Sequence, residues 1–208
     1  MRVIGILGSA RENGSTKYLM NEMMKEVEAT EAEAKGVETK GAETKEAEAK
    51  GAETKGVETE IFNLAKMNIG CCFGCESCRK TGSCVRKDDM YLLYDELKKA
   101  DAVVIGTPIY MGEMTGQLKT FIDRCFALKD AERNSLIPAG KKLAVVITQG
   151  APMPEHYAKT PERIEYIFQG YGFVPVGTVT AAGVHNTDEL LKDESVLEKA
   201  REIGKQLI

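Results

Sequence analysis

The densest group of potentially reactive side chains in this chain is a run of cysteines in one short segment. Five of the six cysteines fall within residues 71–84, in the sequence GCCFGCESCRKTGSCVRKDD. Cys72, Cys75 and Cys78 follow one another at intervals of three residues, and Cys84 comes six residues later. Thiolates at this spacing on a looping backbone can point at one bound metal centre. The segment is therefore predicted to be a ligand loop.

Three kinds of chemistry fit these thiols. An iron–sulfur cluster is favoured, because bacterial ferredoxins use a closely related C-x2-C-x2-C run. Structural zinc sites instead favour two separated C-x2-C pairs, and free or redox-active thiols are the third interpretation. The sixth cysteine, Cys125, stands alone in KTFIDRCFAL and is predicted to be a small buried apolar residue.

Composition predicts one domain with a sizeable core. The chain has 208 residues, of which 43% are hydrophobic and 29% charged. The net charge of −4 and the absence of a basic stripe with aromatics argue against nucleic acid as a partner. No apolar run approaches the ~20 residues that span a bilayer, and the N-terminal sequence does not resemble a signal peptide. A cytoplasmic location without a membrane partner is predicted.

Short β-branched runs alternate with helical patterns along the chain. Strands are predicted at 2–7, 59–64, 102–106, 143–148 and 174–179. Helices are predicted at 15–27, 90–99, 115–128, 161–171 and about 195–207. Asp88 or Asp89 is expected to cap the helix that begins at Met90. This alternation predicts a parallel sheet covered by helices on both faces, with ligands at the carboxyl ends of the strands.

Residues 28–60 interrupt this pattern with five-residue units such as AEAKG, VETKG and AETKG. Each unit advances an α-helix by about 140°, so the Ala and Val positions form no apolar stripe. Each recurring glycine costs about 1 kcal/mol relative to Ala in a helix. A solvated low-complexity insertion, marginally helical or flexible, is therefore predicted at about 28–58 within a single domain of residues 1–208.

Three loops at predicted strand ends have the groups for a mononucleotide. GSARENGST places hydroxyls, an arginine and backbone N–H groups at a helix start, where an anion is favoured. It lacks the P-loop lysine and the three glycines of a dinucleotide fingerprint, and an ordinary Ser-rich cap is the alternative. GTPIYMG and TQG let main-chain groups approach a planar ring. One phosphate beside one tricyclic ring is the predicted ligand.

These motifs together resemble one known family. GSARENGST, the CxxCxxC run followed by GSCVRKDDM, ADAVVIGTPIYMGEMTGQLKTFIDR and TQG are similar to the NADPH-dependent FMN reductase superfamily, specifically to its iron–sulfur flavoproteins. The resemblance implies an α/β flavodoxin-like fold, a three-layer sandwich with a five-stranded parallel sheet. It places the cysteine-rich loop at about 70–88, after the second strand.

The resemblance also implies a cofactor for each loop. It implies FMN at the phosphate-loop residues Ser9, Arg11, Asn13, Gly14, Ser15 and Thr16. It implies contacts to the flavin ring from Thr107, Pro108, Ile109, Tyr110, Met111, Gly112, Thr148, Gln149 and Gly150. It implies a [4Fe–4S] cluster on Cys72, Cys75, Cys78 and Cys84, and leaves Cys71 as an additional thiol.

The expected function is electron transfer between this cluster and FMN. A cluster passes one electron and a flavin one or two, so the pair can connect a ferredoxin-like or NAD(P)H donor to a two-electron acceptor. No side chain is expected to act as acid, base or nucleophile, and His156 and His185 are expected to be surface histidines. The alternatives are a cluster-free NAD(P)H-dependent FMN or quinone reductase and a non-enzymatic electron carrier. The resemblance implies a homodimer or homotetramer.

Overall fold

The computed structural model describes residues 1–34 and 56–208. The strands of this part are β1 (Arg2–Leu7), β2 (Glu58–Asn63), β3 (Ala102–Tyr110), β4 (Glu113–Met114), β5 (Lys142–Thr148) and β6 (Val174–Ala181). Its α-helices are α1 (Ser15–Ala34), α2 (Ser77–Thr81), α3 (Met90–Lys99), α4 (Gly116–Arg124), α5 (Lys159–Gln169), α6 (Thr187–Leu190) and α7 (Glu194–Lys205). Short 3-10 turns lie at Leu64–Lys66, Cys125–Leu128 and Pro154–Tyr157.

The five longer strands form one parallel sheet in the order β2-β1-β3-β5-β6. The short β4 pairs antiparallel with the end of β3 and was not predicted. This is the flavodoxin-like order, in which the direction of chain winding reverses between β1 and β3 and leaves a crevice beyond the strand ends. The predicted flavodoxin-like sheet is confirmed.

Helices cover both faces of the sheet. Buried side chains of α3, α4 and α5 pack on one face, and those of α1 and α7 pack on the other. The central strands read as continuous apolar runs because both of their faces are buried. Gly106 permits the close approach of α1, since a Cβ there would lie 2.2 Å from the Sδ of Met20.

Near the repeat and the ring loop, two element boundaries differ from the prediction by four residues or more. The first helix continues to Ala34 instead of ending at Val27, because Ala and Glu favour helix after Val27 has packed into the core. Residues 28–34 of the predicted insertion are thus helical, and its residues 35–55 lie outside the described part. β3 continues to Tyr110, four residues beyond the predicted end. Within the described ranges no helix is long and apolar enough to cross a membrane.

Candidate functional site

A polar cleft of about 600 Å³, including its open mouth, lies at the carboxyl ends of β1, β3 and β5. It is lined by Ser9, Arg11, Gly14, Ser15, Thr16, Pro108, Ile109, Tyr110, Thr148, Gln149, Gly150, Val184 and His185. The three loops predicted to form one site therefore meet in the fold. Four predicted residues do not line the cleft, namely Asn13, Thr107, Met111 and Gly112.

The first loop is held in place by its own backbone and by neighbouring threonines. Gly8 N donates to the carbonyl of Gly106 at 2.8 Å, and the hydroxyl of Thr115 donates to the carbonyl of Gly8 at 2.7 Å. In the lining of the cleft, the hydroxyls of Thr16 and Thr148 share a 2.7 Å hydrogen bond. Since α1 begins at Ser15, its first N–H groups have no partner within the helix and lie at the wall of the cleft.

Arg11 makes this end of the cleft cationic. Its Nη1 donates to the carbonyl of His185 at 2.9 Å, and Thr187 Oγ1 donates to the carbonyl of Asn13 at 3.0 Å. Both contacts tie the first loop to the segment after β6. The lining of the cleft contains no carboxylate from the described residues. Together with the positive end of the helix dipole, this charge balance favours a bound anion.

The second loop is a hairpin between β3 and β4. Met111 and Gly112 have φ values of 50° and 84°, which makes a two-residue turn with both central residues in the left-handed region. The turn carries the fully exposed Met111 beyond the cleft, while Tyr110 stays at its mouth. Thr107 is buried, and its hydroxyl accepts from the backbone N–H of Thr115 at 3.2 Å. It therefore supports the loop from below.

Gln149 presents an unsatisfied acceptor in the third loop. Its side chain is only 2% exposed, and Nε2 donates to the carbonyls of Ala151 and Met153 at 3.2 and 2.8 Å. Its Oε1 is buried without a hydrogen-bond partner among the described residues. Leaving such an acceptor unpaired costs about 1–3 kcal/mol. A ligand with an N–H or O–H group at this place would satisfy it.

Val184 and His185 line the cleft and were not among the predicted site residues. The imidazole of His185 lies so close to Gly150 that a Cβ on that glycine would be 2.7 Å from the ring Cε1. His185 is solvent-exposed, as expected for a surface histidine, but it also forms part of the cleft wall. The sequence signal that could have placed His185 in the site is its position after β6, in a fourth loop at the carboxyl ends of the strands. His156 packs edge-on against Tyr157 and does not line the cleft.

The cysteine loop leads from the end of β2 towards α3. Cys71, Cys72 and Cys75 are exposed, Cys84 is half-buried and Cys78 is buried. Within residues 1–34 and 56–208, no three His, Cys, Asp or Glu side chains are grouped as a metal site. The four predicted ligands share one loop without the arrangement of a closed site.

Several of these sulfurs nevertheless accept hydrogen bonds or interact electrostatically with one another. Gly74 N donates to Cys72 Sγ at 3.4 Å. Burial raises the pKa of the Cys78 thiol, and the neighbouring thiols of Cys84 and Cys72 raise it further. The backbone N–H of Ser77 lowers the pKa of Cys75. Cysteine thiolates that receive N–H donors are the ligands that iron–sulfur clusters use.

A buried ion pair between Arg124 and Asp88 lies beneath this loop. The two side chains are 1% and 7% exposed, and Arg124 Nη1 and Nη2 contact the two carboxylate oxygens at 2.6 and 2.9 Å. Burial works to raise the pKa of Asp88, but hydrogen bonds from Arg124 and the Gly70 N–H hold it at about 2. Asp88 also accepts from Met90 N at 3.3 Å, whereas Asp89 accepts from Asn68 N. Asp89 therefore stands at the N-cap position of α3 without a side-chain capping bond, and Asp88, the residue before it, bonds the first N–H of the helix.

The remaining cysteines have different surroundings. Cys125 is 1% exposed, which confirms the prediction of a small buried residue, and its burial raises the pKa of the thiol. Cys71 is exposed, with its Sγ 3.9 Å from Thr120 Oγ1.

Comparison with known proteins identifies the family. The sequence profile of the NADPH-dependent FMN reductase family matches residues 1–187. The chain belongs to this family. An iron–sulfur flavoprotein of Archaeoglobus fulgidus is 30% identical over 208 residues, covering 100% of this chain and 79% of that protein. One from Methanocaldococcus jannaschii is 27% identical over 214 residues, covering 100% and 95%. The predicted resemblance to the iron–sulfur flavoproteins is confirmed.

A solved structure supports the fold. The NAD(P)H:quinone oxidoreductase from Methanothermobacter marburgensis superposes with a TM-score of 0.70 at 16% identity, covering 100% of this chain and 99% of that chain. At 16% identity the match shows the fold alone, and that fold is the flavodoxin-like architecture of this chain.

Proposed function

We propose that the chain binds FMN in the polar cleft. The observation that carries the proposal is Gln149, which lines the cleft and whose buried Oε1 has no hydrogen-bond partner among the described residues. The imide N–H of a flavin ring is a donor of the kind this oxygen needs. Arg11 and the start of α1, which also line the cleft, would bind the single phosphate.

We further propose that Cys72, Cys75, Cys78 and Cys84 hold a [4Fe–4S] cluster. Such a cluster supplies one-electron chemistry, which complements the one- or two-electron chemistry of a flavin. The chain's own contribution is to hold the sulfurs: Gly74 N donates to Cys72 and Arg124 Nη2 lies 3.6 Å from Cys84. Burial of Cys78 keeps one ligand away from water.

The proposed function is that of an FMN-dependent redox protein between a ferredoxin-like or NAD(P)H donor and a two-electron acceptor. The cleft residues would bind and orient the flavin, and none of them needs to act as acid, base or nucleophile. A cytoplasmic homodimer or homotetramer stays a prediction that rests on the composition and the motif resemblance.

A cluster-free NAD(P)H-dependent FMN or quinone reductase is the second candidate. The observation that favours it is that no three ligand side chains of the described part are grouped as a metal site. In this case the exposed Cys71, Cys72 and Cys75 would be free or redox thiols.

Anaerobic purification followed by an absorbance spectrum and flavin, iron and sulfide analysis tests the proposal. About one FMN, four irons and four sulfides per chain are expected. Stoichiometric FMN without iron or sulfide after anaerobic reconstitution would favour the second candidate. Bound FAD, or no flavin, would refute both. Steady-state NADPH consumption then separates a reductase from a pure electron carrier.

A further inference from the structure

Arg124 is the most buried charged side chain in the described part of the chain, at 1% exposure. It is the last residue of α4 and lies beneath the cysteine loop. Its Nη1 donates to the carbonyl of Gly70, directly before the first cysteine, at 2.8 Å. Its Nη2 lies 3.6 Å from the Sγ of Cys84, the last cysteine of the loop. One guanidinium therefore contacts both ends of the segment.

Asp88 fixes the orientation of this guanidinium. The carboxylate binds Nη1 and Nη2 together and also accepts from Gly70 N at 3.1 Å. Arg86 Nε reaches the same carboxylate at 3.5 Å. Since Asp88 is only 7% exposed, the pair is largely shielded from solvent. A planar fork is needed to meet the carboxylate, the carbonyl and the sulfur at once, and lysine does not offer it.

We propose that Arg124 and Asp88 are positioning residues that set the reduction potential of the cluster on the cysteine loop. This inference rests on the proposed function above. Reduction adds one electron, and therefore one negative charge, to the cluster and its thiolates. Arg124 stabilises this form by bringing a positive charge and an N–H donor to Cys84, which raises the potential. Asp88 partly offsets that charge, which lowers the potential.

Opposite shifts for the two partners distinguish this role from a purely structural one. Arg124→Gln leaves the Asp88 carboxylate without its main counter-charge beside the loop, so the potential should fall. Asp88→Asn keeps the shape of the side chain and leaves the cation, so the potential should rise. Loosening of the loop alone would move both variants in the same direction. Arg124→Lys keeps the positive charge but lacks the planar guanidinium, so its reduction potential should shift less than that of Arg124→Gln.

The measurement is an anaerobic redox titration of the reconstituted protein, followed by electron paramagnetic resonance. Arg124→Gln is expected to change the one-electron equilibrium constant at least tenfold, which is about 59 mV towards negative potential. Arg201→Gln is the matched control, because Arg201 lies on α7 at the opposite face of the sheet and pairs with Glu194. It should leave the potential unchanged. Iron, sulfide and melting temperature are measured for every variant.

Each outcome decides the inference. Opposite shifts for Arg124→Gln and Asp88→Asn support it. Shifts in the same direction, or unchanged potentials, overturn it and leave the cluster proposal standing. If Arg124→Gln does not retain iron, the directions of the potential shifts in Asp88→Asn and Arg124→Lys decide. A fall in the reduction potential of Asp88→Asn then overturns the inference. Wild-type protein that contains no iron or sulfide after reconstitution overturns both the inference and the cluster.

Discussion

Replacing Arg11 by Ala is expected to weaken binding of FMN without weakening binding of riboflavin. Arg11 is the cation of the cleft, beside the start of α1, where the proposed phosphate would lie. Riboflavin has the same ring and lacks the phosphate. A difference between the two ligands therefore reports on the phosphate contact alone.

The expected size of the effect follows from the surroundings of Arg11. A charge-assisted hydrogen bond contributes about 1.5–3 kcal/mol. Arg11 gives one of its N–H groups to the His185 carbonyl, so the other N–H groups stay available to a phosphate. The side chain is solvent-exposed, which puts its contribution towards the low end through screening. A loss of about 1–2 kcal/mol, or about 5- to 30-fold in Kd, is expected for FMN.

The assay is titration of the flavin-free protein with FMN and with riboflavin, followed by flavin fluorescence at two salt concentrations. Lys17→Ala is the control, because Lys17 lies on α1 close to the cleft but is not part of its lining. It should change either Kd less than about twofold. Equal losses for the two flavins in Arg11→Ala would show that Arg11 acts on the fold or the ring. Unchanged FMN affinity would remove Arg11 from the phosphate site.

Three further predictions test the cysteines, the repeat and the packing of α1. Replacing any one of the four proposed ligands by Ala should remove most bound iron and leave FMN bound. These ligands are Cys72, Cys75, Cys78 and Cys84. The Ala replacements of Cys71 and Cys125 should leave both iron and FMN bound, as iron and flavin analysis would show. Deleting residues 36–55 should leave flavin binding and melting temperature nearly unchanged, because the repeat has no apolar stripe, and loss of folding would contradict this. Gly106→Ala should lower the unfolding free energy by about 1–3 kcal/mol through its clash with Met20, whereas Gly116→Ala, with open space around it, should be nearly neutral in denaturant unfolding.

The alternation of apolar strands and amphipathic helices was enough to predict the sheet and most element boundaries. The helix predicted at 90–99 is found at Met90–Lys99, because the two aspartates before it and a clear apolar periodicity mark it locally. The sequence predicts too early an end for β3, because Pro108 and its neighbours have the composition of a loop. Pro108 is tolerated near the end of the strand, where it lies opposite Thr148 in the parallel register.

The parts of the site that could not be predicted depend on contacts between distant residues. Arg124 is separated from Asp88 by 36 positions, and nothing local in either segment indicates that they pair. The hairpin at Met111 could not be predicted from the sequence, because methionine rarely occupies the left-handed region that this turn requires. By contrast, the residues that line the cleft on β1, β3 and β5 follow directly from the rule that strand ends meet at one edge.

Helix α4 connects the two candidate cofactor sites mechanically. At its N-terminus, Thr115 accepts from Leu118 N as the helix cap and donates to the carbonyl of Gly8 in the phosphate loop. At its C-terminus, Arg124 holds the cysteine loop through Gly70. The nine residues of Gly116–Arg124 separate these anchors by about 13 Å along a rigid axis. Each site keeps its own contacts, so loss of one cofactor need not release the other, while the helix fixes the spacing on which electron transfer between them would depend.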